Sequence, residues 1–420
     1  MEELDNLRIS PKQVVNIIFV GHVDAGKSTL CGQILLLKDV IDIRTIEKYR
    51  DSAKECGRES WYLSWCMDTN PEEREKGKTT ELGTANFDLS SRKINILDAP
   101  GHKQYVFEMI SGANCADVGI LVVSARINEF EAGFEKGGQT REHILLMKSG
   151  TVQKIVVLVN KMDDPSVKWS EERFNEIKTK IGSYIKFLFK DTLFIPVSGL
   201  TGDNIKTKKD GWYKGPTFFD HLDQLPIKKR ATDKLNITVI EKLKLMGSNT
   251  ICGKIDGGVI CKDIVVKAVP QNVKIQISTV YDNDDVEISE GYPGDTVKLK
   301  IKSDNDDINL GSRLVDVNDD TYTGSNMFTC RLTVLECDSI ICSGFVCMLH
   351  IGVLSVQCKI KEIRSLENKK LRFIRAGSKV LVKIETEKEI VLCKEEESKE
   401  RFALRLGEKT LGVGVVRHIF

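Results

Sequence analysis

Gly21 and Gly26 bracket four residues and are followed by Lys27 and Ser28, a G-x-x-x-x-G-K-S spacing. That spacing does phosphate chemistry. Glycines let the chain curl so that the backbone N–H groups of Val23, Asp24, Ala25 and Gly26 converge on an anion, and a helix opening near Lys27 adds its positive end. Lys27 then reaches the β- and γ-phosphates of a nucleotide, the Ser28 hydroxyl can ligate Mg²⁺, and Thr29 follows in the same turn. The plain alternative is a glycine turn joining a strand to a helix.

Three further clusters follow in the order a GTP-binding switch requires. Asp98–Ala99–Pro100–Gly101 can hold Mg²⁺ through Asp98, by way of water, and meet the γ-phosphate with the Gly101 N–H. In Asn160–Lys161–Met162–Asp163 the terminal carboxylate can accept from guanine N1–H and from its 2-amino group. Adenine lacks those donors and would leave the buried acceptor unpaired. Asn160 can tie this loop to the phosphate loop while the Lys161 stem covers the base. Ser198–Gly199–Leu200 would offer backbone N–H groups to guanine O6. Between the first and second clusters a threonine must close over the γ-phosphate and complete the Mg²⁺ shell. Thr79 is the choice, with Thr80 one residue away. His102 can orient an attacking water, or cap the helix that follows.

Elements must carry these loops. Val14–Val20 is a β-branched apolar run that reads as a buried strand, as do Ile94–Leu97, Val118–Val123, Ile155–Val159 and Leu193–Val197. Mixed stretches such as Glu142–Lys148 and Glu171–Phe187 have helical spacing. The alternation predicts an α/β P-loop GTPase domain, a mostly parallel sheet with helices on both faces, over residues 10–226. After the charged stretch Ile227–Asp233 the pattern becomes alternating short strands, predicting two β-barrel domains over residues 232–318 and 322–420. Gly294–Ile301 (GDTVKLKI) and Gly377–Ile384 (GSKVLVKI) echo one another, with the join near Asn318–Ser325.

The 62 basic and 61 acidic residues give a net charge of +1, so contact with RNA must come from local patches. Lys206–Lys209 could touch RNA phosphate or be a solvated loop; Asp304–Asp307 and Glu395–Glu397 read as solvated acidic loops. Twelve cysteines include no C-x-x-C, and the six histidines form no metal pair, which favours buried reduced thiols over zinc or disulfides. No apolar run reaches membrane-span length and the N-terminus has no apolar block, so the expectation is a cytoplasmic protein without membrane contact, monomeric when free.

GHVDAGKST, DAPGH, NKMD and SGL together resemble the translational GTPases, and Gly133–His143 (GFEKGGQTREH) places the resemblance in the elongation factor 1-alpha branch. Within it, Glu59–Asn70, Glu75–Gly83 and Asp163–Trp169 look like the GTP-binding subunits of eukaryotic peptide chain release factors. The resemblance implies GTP/GDP and Mg²⁺ as ligands and His102, Lys27 and Thr79 as the catalytic set. It also implies a class I release factor docked on the last barrel and a transient rRNA contact on the ribosome. Elongation factors have R-G-I-T-I-D where this chain has Lys76–Glu81 (KGKTTE), so Lys78 stands at the isoleucine of an apolar gate whose other half matches Val23. The family's G-R-F-x-L-R segment is matched by Arg401–Arg405, with Glu400 in place of the glycine. Arg401 and Phe402 there contact the partner or simply continue a strand. The family's long N-terminal extension, which recruits poly(A)-binding protein, is not carried over, since about a dozen residues precede the first strand. Relatives on the same plan include the rescue GTPase that partners pelota, aminoacyl-tRNA carriers, and the GTPase subunit of sulfate-activating enzymes. A binding module without turnover is a further class, against which Lys27, Thr79 and His102 argue.

Overall fold

The computed structural model describes residues 12–57, 61–67, 73–74, 79–135, 138–228, 233–245, 248–302, 308–335, 340–395 and 400–420. Lys78, Cys337, the Asp304–Asp307 cluster and most of Glu395–Glu397 lie outside them.

The first strand, β1 (Gln13–Val20), shows why the sheet forms. Val15, Ile17 and Phe19 pack into one apolar cluster and Ile18 and Val20 into another, so alternate side chains are buried on opposite faces. Its neighbours are β2 (Gly83–Asp88), β3 (Arg92–Asp98), β4 (Val118–Ser124), β5 (Lys154–Asn160) and β6 (Leu193–Pro196), in the order β2-β3-β1-β4-β5-β6. Only β2 runs antiparallel to its neighbour. Helices α1 (Lys27–Leu37), α2 (Ile43–Glu55), α3 (Val106–Cys115), α4 (Glu129–Phe134), α5 (Gln139–Ser149), α6 (Glu171–Ile185) and α7 (Phe218–Gln224) fill the connections. Of these, α1 and α7 supply Ile34 and Phe218 to the cluster of Ile17 and Phe19. The helices α3, α5 and α6 supply Met109, Ile144 and Ile177 to the other. Asp42 and Ser170 cap α2 and α6 by accepting backbone N–H groups of the first turn. Parallel strands carry their following loops to one edge, and that edge gathers the four motif loops.

A run of antiparallel strands follows: β7 (Asn236–Leu245), β8 (Ser248–Gly257), β9 (Ile260–Cys261), β10 (Val265–Val269), β11 (Val273–Tyr281), β12 (Glu287–Ile288), β13 (Glu290–Gly291), β14 (Thr296–Ile301) and β15 (Arg313–Asp316). Seven of them form a sheet ordered β10-β15-β7-β8-β14-β11-β12, in which β10 also pairs with β11 so that the run returns on itself, while β9 pairs with β13 apart from it. A closed barrel β16-β21-β19-β18-β22-β23 completes the chain. Its strands are β16 (Tyr322–Val334), β18 (Val346–Ile351), β19 (Leu354–Arg364), β21 (Lys379–Cys393), β22 (Arg401–Leu406) and β23 (Lys409–Ile419), with β17 (Ile341–Cys342) pairing β20 (Phe373–Ile374) beside it. The alternating residues Phe328, Cys330, Leu332 and Val334 all point into this barrel.

The thiol expectation needs correcting. Cys56, Cys261 and Cys342 are exposed, because each sits at a helix end or on a two-residue strand with no layer over it. No disulfide joins the described cysteines, and no group of three histidine, cysteine, aspartate or glutamate side chains that could hold a metal ion occurs among the described residues. No helix among those residues is long and apolar enough to cross a membrane.

Candidate functional site

At the C-terminal edge of the sheet a cavity of about 420 Å³ is lined by Val23, Asp24, Gly26, Lys27, Ser28 and Thr29 from the phosphate loop. Thr79, Gly101, His102, Asn160, Lys161, Asp163, Gly199 and Leu200 also line it, whereas the expected Ala25, Asp98 and Ser198 are buried and do not. Gly26 has φ +88, and a Cβ there would lie 2.4 Å from Asn160 Nδ2, so only glycine closes this loop against the base-side strand. Lys27 is buried, its Nζ donating to the carbonyls of Gly21 and His22 at 3.2 Å each, and among the described residues it has no ion pair. Burial lowers its pKa, with Asp98 opposing. A buried cation satisfied only by loop carbonyls is poised to take an anion.

Asp98 ends β3 and is fully buried. Burial pushes its pKa up to about 6, with Lys27 and Ser28 opposing from nearby, yet neither carboxylate oxygen has a hydrogen-bond partner of ordinary geometry among the described residues. Beside it, Ser28 Oγ and Thr79 Oγ1 are 3.1 Å apart. One unsatisfied carboxylate and two hydroxyls make an all-oxygen donor set, the kind a hard divalent cation takes. Gly101 stands close by, where a Cβ would come within 2.6 Å of Lys27 Nζ and 3.1 Å of Val23 N.

Of the two adjacent threonines, the fold separates their roles. Glu73, itself buried, accepts from Thr80 N at 2.7 Å, Thr80 Oγ1 at 2.8 Å and Glu81 N at 3.1 Å. Thr80 is thereby held away from the cavity and Thr79 is turned into it. His102 precedes the short 3₁₀ turn Lys103–Tyr105 and makes no side-chain cap hydrogen bond; its ring instead meets Tyr105 edge-on at 6.5 Å and lines the cavity.

On the base side, Asn160 Nδ2 donates to Ala25 O at 2.9 Å, and Asn160 Oδ1 accepts from Gly199 N at 2.8 Å. One buried amide thus pins three loops together. The Ser198–Leu200 expectation is narrowed by this. Gly199 N–H is committed to Asn160 and Ser198 N–H to Asp203 O at 3.4 Å, which leaves Leu200 to present its N–H to a base. Lys161 Nζ pairs with Glu129 Oε2 at 2.9 Å, fixing its stem along the wall.

Several lining residues escaped the motif reading: Trp61, Ser64, Arg126, Glu129 and Asp164. Arg126 bridges Asp164 and Glu129, and Glu129 also accepts from Ser124 at 2.7 Å, so a salt-bridge net braces the base-binding wall. Hydrogen bonds from Ser166 hold Asp164 down at about 2, ahead of the contribution from Arg126. Trp61 begins the stretch whose Tyr62, Leu63 and Trp65 pack on Ile46 and Ala53 of α2.

Two readings left open by the sequence are narrowed. Phe402 continues the strand: it is 1% exposed inside the last barrel, its ring 5.9 Å from that of Phe328, because the strand alternation turns it inward. Arg401, on the outer side, donates to the Lys148 carbonyl of α5 at 3.3 Å. In the Lys206–Lys209 loop, Lys206 Nζ donates to Leu37 O at 3.1 Å and Lys209 pairs with Asp203 at 3.0 Å while lying over the Trp169 ring.

Comparison with known proteins gives two family matches: the elongation factor Tu GTP binding domain over residues 12–285 and the elongation factor Tu C-terminal domain over residues 321–420. The chain is 39% identical over 424 residues to the eukaryotic peptide chain release factor GTP-binding subunit of Schizosaccharomyces pombe, covering 96% of this chain and 64% of that protein. To the protein of the same name from Candida albicans it is 40% identical over 435 residues, covering 99% and 60%. Across the curated relatives of that name it matches, the chain spans between 57% and 66% of their length. Among solved structures, the GTPase-like domain of S. cerevisiae Ski7 bound to GTP superposes with a TM-score of 0.80 at 18% identity over 97% of both chains, a likeness of fold.

Proposed function

The chain belongs to the elongation factor Tu family of translational GTPases, and from that premise we propose that it binds and hydrolyses GTP on the ribosome in complex with a class I peptide chain release factor, driving translation termination in the cytoplasm. The observation that carries the reading is the convergence of Lys27, Ser28, Thr79 and Asp163 on one cavity, with Asp98 buried behind it. Two curated relatives at 39% and 40% identity, both named as release factor GTP-binding subunits, support the choice of termination within the family. In this reading residues 10–226 carry the chemistry, and residues 232–318 and 322–420 carry the ribosome and partner contacts.

The residues account for the steps. Phosphate-loop N–H groups from Val23 to Gly26, continued by Ser28 and Thr29 at the start of α1, cradle the β-phosphate. Lys27 exchanges its loop carbonyls for phosphate oxygens, moving its charge to where the transition state builds negative charge. Ser28, Thr79 and Asp98 are the residues that would hold Mg²⁺, which when bound neutralises the β- and γ-phosphate oxygens. Gly101 N–H meets the γ-phosphate, and His102 holds a water in line with it, because phosphoryl transfer needs positioning more than a strong base. Asp163 and the Leu200 N–H read guanine, with GDP left after hydrolysis.

Two measurements test the reading. Equilibrium GTP affinity should tighten when the class I release factor is added, and GTP should tighten the partner by the same factor. Recovery of pelota in place of the release factor on co-purification would overturn termination in favour of ribosome rescue. For the chemistry, His102→Ala should keep nucleotide affinity and lose about 10²-fold or more in ribosome-stimulated single-turnover hydrolysis. Unchanged turnover would remove His102 from the mechanism.

A further inference from the structure

Asp163 lines the cavity but makes no side-chain hydrogen bond among the described residues, so its aim at a base is set by the turn that carries it. That turn is closed by the Asp164 N–H on the Lys161 carbonyl at 3.2 Å, which puts Asp163 at its third position. Both ends are held by charge. Lys161 has φ +61, a left-handed backbone that non-glycine residues rarely adopt unless their surroundings impose it, and its Nζ donates to Glu129 Oε2 at 2.9 Å. Asp164 accepts from Arg126 Nε at 2.5 Å through Oδ2, and from Ser166 N and Oγ at 2.9 and 2.6 Å through Oδ1. Arg126 Nη1 donates to Glu129 Oε1 at 3.2 Å and closes the circuit. Four charges thus flank Asp163, in the order Lys161, Glu129, Arg126 and Asp164.

The circuit is rooted in the sheet. Ser124, the last residue of β4, donates its hydroxyl to Glu129 Oε2 at 2.7 Å and accepts the Arg126 N–H at 3.2 Å. Ala125 N donates to the Asn160 carbonyl at the end of β5 at 2.8 Å. Arg173 of α6, with its side chain 11% exposed, donates to the carbonyls of Ala125 and Arg126 at 3.0 and 3.2 Å and pairs with Glu131 at 2.9 Å. The segment from Ser124 to Glu129 is therefore the fixed member, and the Lys161–Asp164 turn is what it holds.

We infer that Arg126 and Glu129 are positioning residues for base recognition: by clamping the two ends of the Lys161–Asp164 turn, they aim the Asp163 carboxylate at both the N1–H and the 2-amino group of guanine. This rests on the proposed GTP site and adds the residues that set its selectivity. Accepting from two donors at once demands direction, because a carboxylate free to swing keeps one bond and loses the other. As isolated pairs, with Arg126 45% and Glu129 35% exposed, these contacts would add little to stability. What the circuit supplies is orientation. Loss of either charge frees one end of the turn, and with it the left-handed backbone at Lys161.

The test titrates the full chain with GTP and with inosine triphosphate, which differs from GTP only in lacking the 2-amino group. The parent chain should prefer GTP by about tenfold or more, the contribution of one hydrogen bond to a charged acceptor. In Glu129→Gln and in Arg126→Gln that preference should shrink at least about threefold, as for groups coupled through one network. The double variant should shrink it by less than the product of the two, because the circuit opens once. GDP against inosine diphosphate should show the same change, since the base is common to both. Binding of the inosine nucleotide also checks that each variant folds, and the more exposed Arg126→Gln decides if Glu129→Gln does not bind. A preference unchanged in the single variants would overturn the positioning role, even with both nucleotides bound more weakly, since a general brace weakens the two alike. A parent chain that binds neither nucleotide, or both equally, would instead overturn the reading of Asp163 and the positioning role with it.

Discussion

Ser28 Oγ and Thr79 Oγ1 lie 3.1 Å apart although 51 residues separate them in the chain. Between them run α1, α2 and the Tyr62–Trp65 cluster, and Gly32 of α1 is pressed so tightly on that cluster that a Cβ would meet the Leu63 carbonyl at 2.0 Å. The hydroxyl pair is therefore the end point of a packed path. Glu73 sets its last step by holding Thr80 in place.

Thr79→Ala and Thr80→Ala should differ in kind. Thr79→Ala removes one candidate metal ligand, so stimulated hydrolysis should fall by about tenfold or more at fixed Mg²⁺, with GDP affinity little changed. Thr80→Ala leaves Glu73 two of its three donors, and the loss should be smaller and partly recovered at high Mg²⁺. Single-turnover hydrolysis across a Mg²⁺ titration separates them. Equal losses would contradict the division of roles.

Asp163→Asn tests base recognition. The carboxylate accepts from two guanine donors, and an amide can accept from only one while presenting its own N–H to the other. A charge-assisted contact contributes about 1.5–3 kcal/mol, so GTP affinity should fall by about 10- to 100-fold. Xanthosine triphosphate, with a carbonyl at C2, should gain over the parent chain, as a nucleotide competition assay would show. Unaltered preference for guanine would mean that Asp163 does not read the base.

The strand loops were legible from the chain because two physical signals coincided there. Apolar β-branched runs such as Ile17–Val20 give buried parallel strands, and the polar residues that end them sit at the strand C-termini. Thr79 could not be told from Thr80, since the two side chains are identical and what separates them is Glu73, a residue with no motif of its own. The Arg126–Glu129–Asp164 net was invisible for a related reason: a salt bridge between separate loops leaves no spacing in the sequence. For Phe402 the sequence leaves partner contact and strand continuation equally open. Its motif resemblance is real, but strand alternation in Arg401–Leu406 decides its direction and buries it. The helix α2 also gave little signal, with only Ile46 and Ala53 buried.

Phe402→Ala should accordingly act on stability. Its ring fills the last barrel against Phe328 and leaves room only for glycine at position 414, where a Cβ would come within 2.3 Å of the ring. A loss of about 3–5 kcal/mol is expected for such a truncation. Chemical denaturation should report it. A stable variant that fails to bind a release factor would restore the surface role.

Acid should loosen the joint between the GTPase domain and the last barrel. Burial lowers His143 to about 3, with Lys27, His22 and Arg405 adding repulsion, and burial with Arg405 lowers His350 to about 4. Folded values below the ordinary 6.5 mean that the unfolded chain takes up protons first. Their contribution is complete above pH 6.5 and is lost as pH falls toward these lowered values, roughly 2 kcal/mol for each by pH 5. His350→Asn should flatten the stability–pH curve between pH 6.5 and 5 in denaturation experiments. A slope identical to the parent chain would contradict the assignment.

The central claim is that the cavity beside Lys27 and Asp163 selects guanosine triphosphate, and equilibrium competition between GTP and ATP on the intact chain tests it most directly. A site built to hydrogen-bond the guanine donors through the Asp163 carboxylate predicts a preference on the order of 10⁴-fold for GTP. Equal affinity for ATP, or binding of neither nucleotide, would contradict it.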